Sequence, residues 1–286
     1  MSATKMALVV LAGGIGSRFG GDKQIQLFGS PKQPHFLFEY ACYDAMQAQY
    51  DKVFVIVREG MQAVIARQLE NWMAPERFEL IVQEQTRQKP WGTAHALQCL
   101  VGKWAHAFLV INADDYYGPQ LCRQAARLLQ QGEEAASLSF ELGSTLSPFG
   151  TVARAICEVK DGYLTQLEEV TSLARIDGKI CDHIGRVWPE QTPISMNAWL
   201  LPASFLPRVS DAVAQFMEAH ASDEVAEVYL PKVIAAAIAQ DQLKVKVQPM
   251  PSEWFGITYA ADLKLAQEKL LKLEKSQYPT PFNQWM

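Results

Sequence analysis

The chain is poor in cysteine: five in 286 residues, at Cys42, Cys99, Cys122, Cys157 and Cys181. They are dispersed and odd in number, with no C-x-x-C pair. That excludes a disulfide framework and points to reduced thiols in a cytosolic protein, most of them filling small core positions. Histidine is also scarce and scattered, so no zinc-binding spacing exists. No charge of one sign dominates: 26 Lys and Arg stand against 31 Asp and Glu, a net of -5. This gives no electrostatic basis for nucleic-acid binding, although a local basic pocket for phosphates is compatible with it. No apolar run approaches the ~20 residues of a membrane span. The run Met6–Ala12 has neither the basic leader nor the cleavage site of a signal peptide, and Gly13 and Gly14 bound it. It reads as a buried strand opening into a loop. Repeats and linker-like stretches are lacking too. The expected setting is cytoplasmic, with no membrane or nucleic-acid partner.

What is present is an ordinary globular composition, 49% hydrophobic and 20% charged, in a chain long enough to bury a substantial core. Strand and helix signals alternate through the first 140 residues. Strands are expected at Ala7–Ala12, Lys52–Val57, Phe78–Val82, Phe108–Asn112 and Ala135–Leu142. Helices are expected at Phe36–Gln49, Met61–Trp72, Trp91–Val101 and Pro119–Gln131. Such alternation predicts an α/β fold, a mostly parallel sheet with helices on both faces. Three β segments follow (Thr151–Val159, Tyr163–Glu169 and Ile194–Leu201), which predict a smaller β-rich lobe. Helices return at Ala203–Ala219, Leu230–Gln240 and Tyr259–Glu274. In the last of these Leu263, Ala266, Leu270 and Leu273 recur at helical spacing.

Residues 7–23 read ALVVLAGGIGSRFGGDK. A buried strand enters a loop with five glycines, one arginine and one lysine. Glycine lets backbone N–H groups approach phosphate oxygens. Arg18 can grip a phosphate in a fork and Lys23 adds a point charge. The strand end is also where open α/β sheets bind ligands. The dinucleotide fingerprint G-x-G-x-x-G fails, because Phe19 stands at its third glycine. The P-loop pattern fails as well, because Asp22 precedes Lys23 and Gln24 follows it.

LAGGIGSR with Lys23 resembles the opening signature of the sugar-phosphate nucleotidyltransferases, also called nucleotide-sugar pyrophosphorylases. Lys32, in Pro31-Lys32, is a rival for the lysine role. The resemblance continues in family order. KPWGTAHAL (Lys89–Leu97) is similar to the base-contacting G-T-A segment, and VINADDYYG (Val110–Gly118) to the segment whose aspartate binds magnesium. FGTVAR (Phe149–Arg154), LEEV (Leu167–Val170) and ISMNAWLL (Ile194–Leu201) are similar to sugar-side segments. One departure stands out. The family usually carries a second metal carboxylate on a late strand, and the matching stretch EWFGIT has Gly256 there, leaving Glu253 as a substitute or none.

The resemblance implies a single Rossmann-like, three-layer nucleotidyltransferase domain over 1–286. Residues 1–140 would form the nucleotide-binding half, 141–260 the sugar-binding half and 258–286 a C-terminal helix and tail. It implies Mg²⁺ as cofactor, a nucleoside triphosphate and a sugar 1-phosphate as partners, and oligomerisation of unspecified symmetry. It assigns Arg18 and Lys23 to catalysis, and Ala12, Gly13, Gly14, Gly16, Ser17, Gln85, Gly92 and Thr93 to the nucleotide. Gly150, Glu169 and Asn197 fall to the sugar, and Asp114 to the metal. Asp115 is an alternative ligand or a group behind it, and the acidic pair also reads as a helix N-cap ahead of Pro119. Thr93 likewise reads as a helix cap, and His95 as a packing residue. The reaction expected is attack by an already ionised phosphate on the α-phosphorus, with release of pyrophosphate. It needs neutralisation and positioning rather than a general base. A non-sugar phosphate acceptor and a non-catalytic nucleotide-binding protein remain open as readings. A glycosyltransferase ranks lower, because its Asp-x-Asp motif is replaced by adjacent acids. The terminal YPTPFNQW reads equally as a docked segment, an oligomer contact or a partly ordered tail.

Overall fold

The computed structural model describes residues 5–14, 22–251, 253–278 and 282. The strands are β1 (Met6–Ala12), β2 (Leu27–Phe28), β3 (His35–Phe36), β4 (Lys52–Arg58), β5 (Phe78–Gln83), β6 (Ala107–Asn112), β7 (Asp115–Tyr116) and β8 (Ala136–Glu141). They continue with β9 (Val152–Lys160), β10 (Tyr163–Ile176), β11 (Lys179–Cys181), β12 (Val187–Trp188), β13 (Pro193–Leu201), β14 (Lys246–Pro249) and β15 (Phe255–Gly256). The helices are α1 (Leu37–Gln47), α2 (Gln62–Glu70), α3 (Thr93–Gln98), α4 (Leu121–Gln130), α5 (Leu206–Ala219), α6 (Leu230–Ala239) and α7 (Asp262–Glu274). Among the described residues no helix is long and apolar enough to cross a membrane.

One sheet runs through the molecule in the order β12-β11-β10-β14-β8-β13-β6-β1-β4-β5, with β9 pairing β10 and β13. β6, β1, β4 and β5 are parallel neighbours. Their near-continuous apolar runs, MALVVLA and KVFVIVR, suit strands covered on both faces. Alternate residues of β1 feed two separate cores: Leu8 and Val10 pack toward α1 and α4, and Ala7 and Val9 toward α3, α5 and α6. The β-rich stretch grows from the same sheet. β13 pairs antiparallel with β6 on one side and with β8 and β9 on the other.

The chain runs from β1 to β4 on one side of β1, and later enters β6 on the other side. That reversal leaves a crevice at the carboxyl ends of β1 and β6, the usual ligand site of such sheets. Leu11 lies beside Asn112, and Ala113 N–H donates to Leu11 O at 3.1 Å, so the glycine loop and the Asp114 turn start side by side.

The C-terminal segment folds back onto α1. Phe282 stacks on His35 with centroids 3.9 Å apart and is surrounded by Tyr40, Tyr43 and Trp72. Below it, fully buried Glu39 accepts from Phe36 N–H at 2.7 Å and Trp72 Nε1 at 2.6 Å, and lies 3.0 Å from His35 Nδ1. The Tyr278 hydroxyl donates to buried Asp44 at 2.9 Å. Burial pushes the Asp44 carboxyl up to about 8, against the lowering effect of the Tyr278 hydrogen bond and the Arg123 charge. In the unfolded chain the group titrates near pH ~3.9. The native state therefore holds a proton that the unfolded state has lost across that window. The resulting stability is full below pH ~4 and disappears as pH rises through about 8. Asp44→Asn is expected to flatten the decline in Tm between pH 5 and pH 8.5; an unchanged slope would remove Asp44 as its cause.

Candidate active site

Lys23 opens a single helical turn, Lys23–Ile25, directly after the glycine loop. Its ammonium donates to Ile257 O at 3.2 Å and forms an ion pair with the Asp114 carboxylate. Gly13 and Gly14 line a 220 Å³ cavity with Lys23, Gly92, Thr93 and Asp114. Ala12 lies at the buried end of β1, beneath that loop. Gly16, Ser17 and Arg18 lie outside the described residues.

The opposite wall of this cavity depends on two glycines. A Cβ on Gly13 would stand 2.4 Å from Gln83 Oε1. Gln83 is buried at the end of β5, and its Nε2 donates to Gly92 O at 3.2 Å and His95 Nδ1 at 3.0 Å. Burial lowers the His95 pKa, which suits an imidazole accepting at Nδ1. Gly92 has φ +96°, and a Cβ there would meet Val228 O at 2.6 Å. Gly92→Ala therefore combines a left-handed backbone with a backbone clash. A loss of about 1–3 kcal/mol is expected in denaturant unfolding, with weaker nucleotide binding. A fully stable variant would contradict this placement. Gln85 does not line the cavity: its amide donates to Arg87 O and Gln88 O, 3.1 and 3.0 Å away. Gln83 occupies the wall instead, a polar residue in a buried slot at a strand's carboxyl end.

Thr93 is the first residue of α3, and its Oγ1 accepts from Leu230 N–H at 2.9 Å, so it caps α6 rather than its own helix. It also lines a second, 330 Å³ cavity between β9, β10, β13 and α6, with Asn112, Arg154, Glu169, Asn197 and Lys232. A 260 Å³ cavity shares Asn112, Arg154 and Asn197, and adds Asp114, Asp115 and Trp254. Asn197 sits in a bulge of β13 at φ +61°, a backbone that Asn tolerates better than most residues. Its Nδ2 donates to Asn112 Oδ1 at 2.7 Å and its Oδ1 accepts from Trp199 Nε1 at 3.0 Å. Asn112 Nδ2 in turn donates to Asp115 Oδ2 at 3.0 Å. Glu169 is exposed at the cavity mouth. Gly150 lines neither cavity and packs under Tyr259, whose hydroxyl donates to Thr151 O at 2.8 Å.

The structure adds residues that the motifs did not single out. Arg154 is nine-tenths buried and donates to the Thr145 hydroxyl and carbonyl and to Ala153 O. Burial depresses its pKa to about 10, against the raising charges of Asp115 and Asp262. Lys232 and Tyr229 enter from α6 and its N-cap.

Asp114 lines both the 220 Å³ and the 260 Å³ cavities. Asp115 is buried behind it. Desolvation, then the charge of Asp114, push its carboxyl up to about 7, against the Asn112 hydrogen bond and the charges of Lys23 and Arg154. Gly256 pairs with Asp115 across β7 and β15. A Cβ on Gly256 would lie 2.2 Å from Asp115 Oδ1 and 2.7 Å from Trp254 Cζ2. The absent late-strand carboxylate thus has no room, and Glu253 is paired with Lys269 instead. No cluster of three or more His, Cys, Asp or Glu converges among the described residues. Mg²⁺ is compatible with this set, because it is often held by one or two carboxylates plus substrate phosphates.

The family model described as "MobA-like NTP transferase domain" matches residues 8–179. No curated protein matches the chain. Among solved structures, the inositol-1-phosphate CTP transferase of T. maritima aligns with TM-score 0.66 at 15% identity, over 97% of this chain and 99% of the other. A Bacillus anthracis protein named as a glucose-1-phosphate thymidylyltransferase, in complex with a sucrose, aligns with TM-score 0.64 at 15% identity, over 93% and 95%. At that identity the likeness speaks for the fold.

Proposed function

This chain belongs to the family of MobA-like NTP transferase domains, and from that premise we propose that it transfers a nucleoside monophosphate from an NTP to a sugar 1-phosphate, releasing pyrophosphate. The observation that carries the reading is the position of Asp114, ion-paired with Lys23, on both the glycine-loop cavity and the cavity under β9 and β13. A triphosphate in the first cavity and a phosphorylated acceptor in the second would meet at that pair. The names of the two solved relatives support a phosphorylated sugar or cyclic polyol as acceptor.

The attacking phosphate is already anionic, so the barrier is mutual repulsion with the triphosphate and poor alignment. Backbone N–H groups of the glycine loop would hold the triphosphate, and Lys23 would neutralise charge where nucleophile and α-phosphate approach. Asp114 would hold Mg²⁺, with Asp115 behind it; the ion supplies Lewis-acid neutralisation of the phosphates when bound. Asn112 and Asn197 would fix the acidic turn. Glu169 and Lys232 line the adjoining 330 Å³ cavity, which shares Asn112, Arg154 and Asn197 with the one that carries Asp114, and there they would orient the rest of the acceptor.

The test is pyrophosphate release with Mg²⁺, each common NTP and a panel of sugar 1-phosphates. Release that requires one NTP and one sugar phosphate supports the reading. Nucleotide binding without release for any sugar phosphate overturns it, and a non-sugar phosphate acceptor or a binding-only role then takes its place.

A further inference from the structure

Tyr117 is 1% exposed and its ring packs against Phe140 of β8, yet its hydroxyl meets partners from three other places in the fold. It accepts from Asn112 N–H, at the end of β6, at 3.0 Å. It stands 2.9 Å from Met196 O in β13 and 3.1 Å from Asp115 Oδ2 in β7. Met196, Asn197 and Ala198 form the bulge of β13 between the paired residues Ser195 and Trp199, and they have no opposing residue in β6, β8 or β9. The phenol therefore supplies a tie that the sheet does not.

Burial pushes the Tyr117 phenol well above its ordinary value, so the hydroxyl keeps its one proton. That proton cannot serve Met196 O and Asp115 Oδ2 fully at once, and the hydroxyl is shared between them. Asn197, the residue after Met196, lies at φ +61° and donates from Nδ2 to Asn112 Oδ1 at 2.7 Å. One oxygen thus fastens the backbone on both sides of the Asn112–Asn197 bond and touches the carboxylate behind Asp114. Its removal leaves Asn112 N–H and Met196 O without this partner, and nothing else described pins the bulge at Met196. We infer that Tyr117 is a positioning residue, its hydroxyl locking the acidic turn to the β13 bulge so that Asp114 and Asn197 are held at one spacing. This rests on the reading of Asp114 as the metal-side group and Asn197 as the acceptor-side group of a nucleotidyltransferase.

Tyr117→Phe keeps the ring on Phe140 and removes the hydroxyl. The first readout needs no activity. Trp199 Nε1–H donates to Asn197 Oδ1 at 3.0 Å, so its indole ¹⁵N–¹H resonance, assigned from Trp199→Phe, reports where Asn197 sits. That resonance moves in Tyr117→Phe, while those of Trp72 and Trp188, which donate to Glu39 and Asp182, stay in place. An unmoved Trp199 resonance overturns the inference. Should the variant fold poorly, deuterium exchange in the wild-type protein decides: the Asn112 amide exchanges as slowly as its neighbours in β6, and a fast amide overturns the bridge. The second readout is kinetic. The acceptor KM rises about 2- to 10-fold, the worth of one hydrogen bond, with the KM for NTP unchanged. In an Asn197→Gly background, which keeps the left-handed backbone and removes the amide, the same substitution has no further effect on the acceptor KM. A rise in both KM values would mark a general loss of structure, and an equal effect in both backgrounds would show Tyr117 acting without Asn197; either result overturns the inference. If no acceptor is turned over, the transfer reading fails by itself, and the Trp199 resonance still decides the role of Tyr117.

Discussion

Lys23→Ala is expected to lower turnover about 10²- to 10³-fold, the usual cost of removing one charged or hydrogen-bonding group aimed at developing charge. The same variant is expected to tighten, not weaken, Mg²⁺ or Mn²⁺ binding in the absence of nucleotide. The reason is the ion pair. Lys23 Nζ occupies the Asp114 carboxylate, with side chains only 21% and 19% exposed, and a metal ion must compete with it. Removing the ammonium frees the carboxylate for the metal while depriving the reacting phosphates of their cation. Asp114→Ala should lose both metal affinity and rate. Pyrophosphate release read beside Mn²⁺ titration separates the two variants. Equal loss of metal binding in both would show that Lys23 merely props the turn, and an unchanged rate in Lys23→Ala would move the catalytic lysine elsewhere, Lys32 included.

Phe282→Ala should be the most destabilising single change among the residues considered. The ring is 2% exposed and packs on His35, Tyr40, Tyr43 and Trp72. Emptying such a slot costs about 3–5 kcal/mol. Tm should fall by roughly 2–4 °C for each kcal/mol. The damage should reach the site, because the Tyr278 and Tyr116 hydroxyls lie 3.1 Å apart and Tyr116 stacks on Phe255, across the β7–β15 pair that carries Asp115 and Gly256. Chemical denaturation measures the first effect, and the acceptor KM the second. A variant as stable as the parent would mean that the terminal aromatics are not anchored in solution as they are here.

Much of the fold was legible in the sequence because its central strands are unambiguous. MALVVLA and KVFVIVR are too apolar for anything but doubly covered strands, and α5, α6 and α7 fall within the helices expected at 203–219, 230–240 and 259–274, the last of them marked by its apolar spacing. The short pairs β2–β3, β7–β15 and β11–β12 were not legible, because two or three residues carry no periodicity and exist through tertiary pairing. The same distinction runs through the site. Gly13, Gly14, Lys23, Gly92, Thr93 and Asp114 come from contiguous motifs, and the fold brings them onto one cavity. Gln83, Arg154, Lys232 and Trp254 enter from separate elements and line three different cavities, and only the tertiary structure places those cavities around Asn112. The tail was open between docking and disorder, since prolines and aromatics fit either; Tyr278 and Phe282 are docked.

The bond from Leu230 N–H to Thr93 Oγ1, with the close seat of Gly92 against Val228, ties the Gly92–Thr93 turn to the helix that bears Lys232. On the proposed reading, the two substrates would therefore not bind as strangers. A nucleotide that settled Gly92 and Thr93 would also adjust the wall met by the acceptor, and thermodynamic reciprocity would require the acceptor to return the same factor. The dissociation constant of each substrate should thus depend on the presence of the other. Thr93→Val, which keeps the shape and breaks the bond, should make the two bindings more nearly independent.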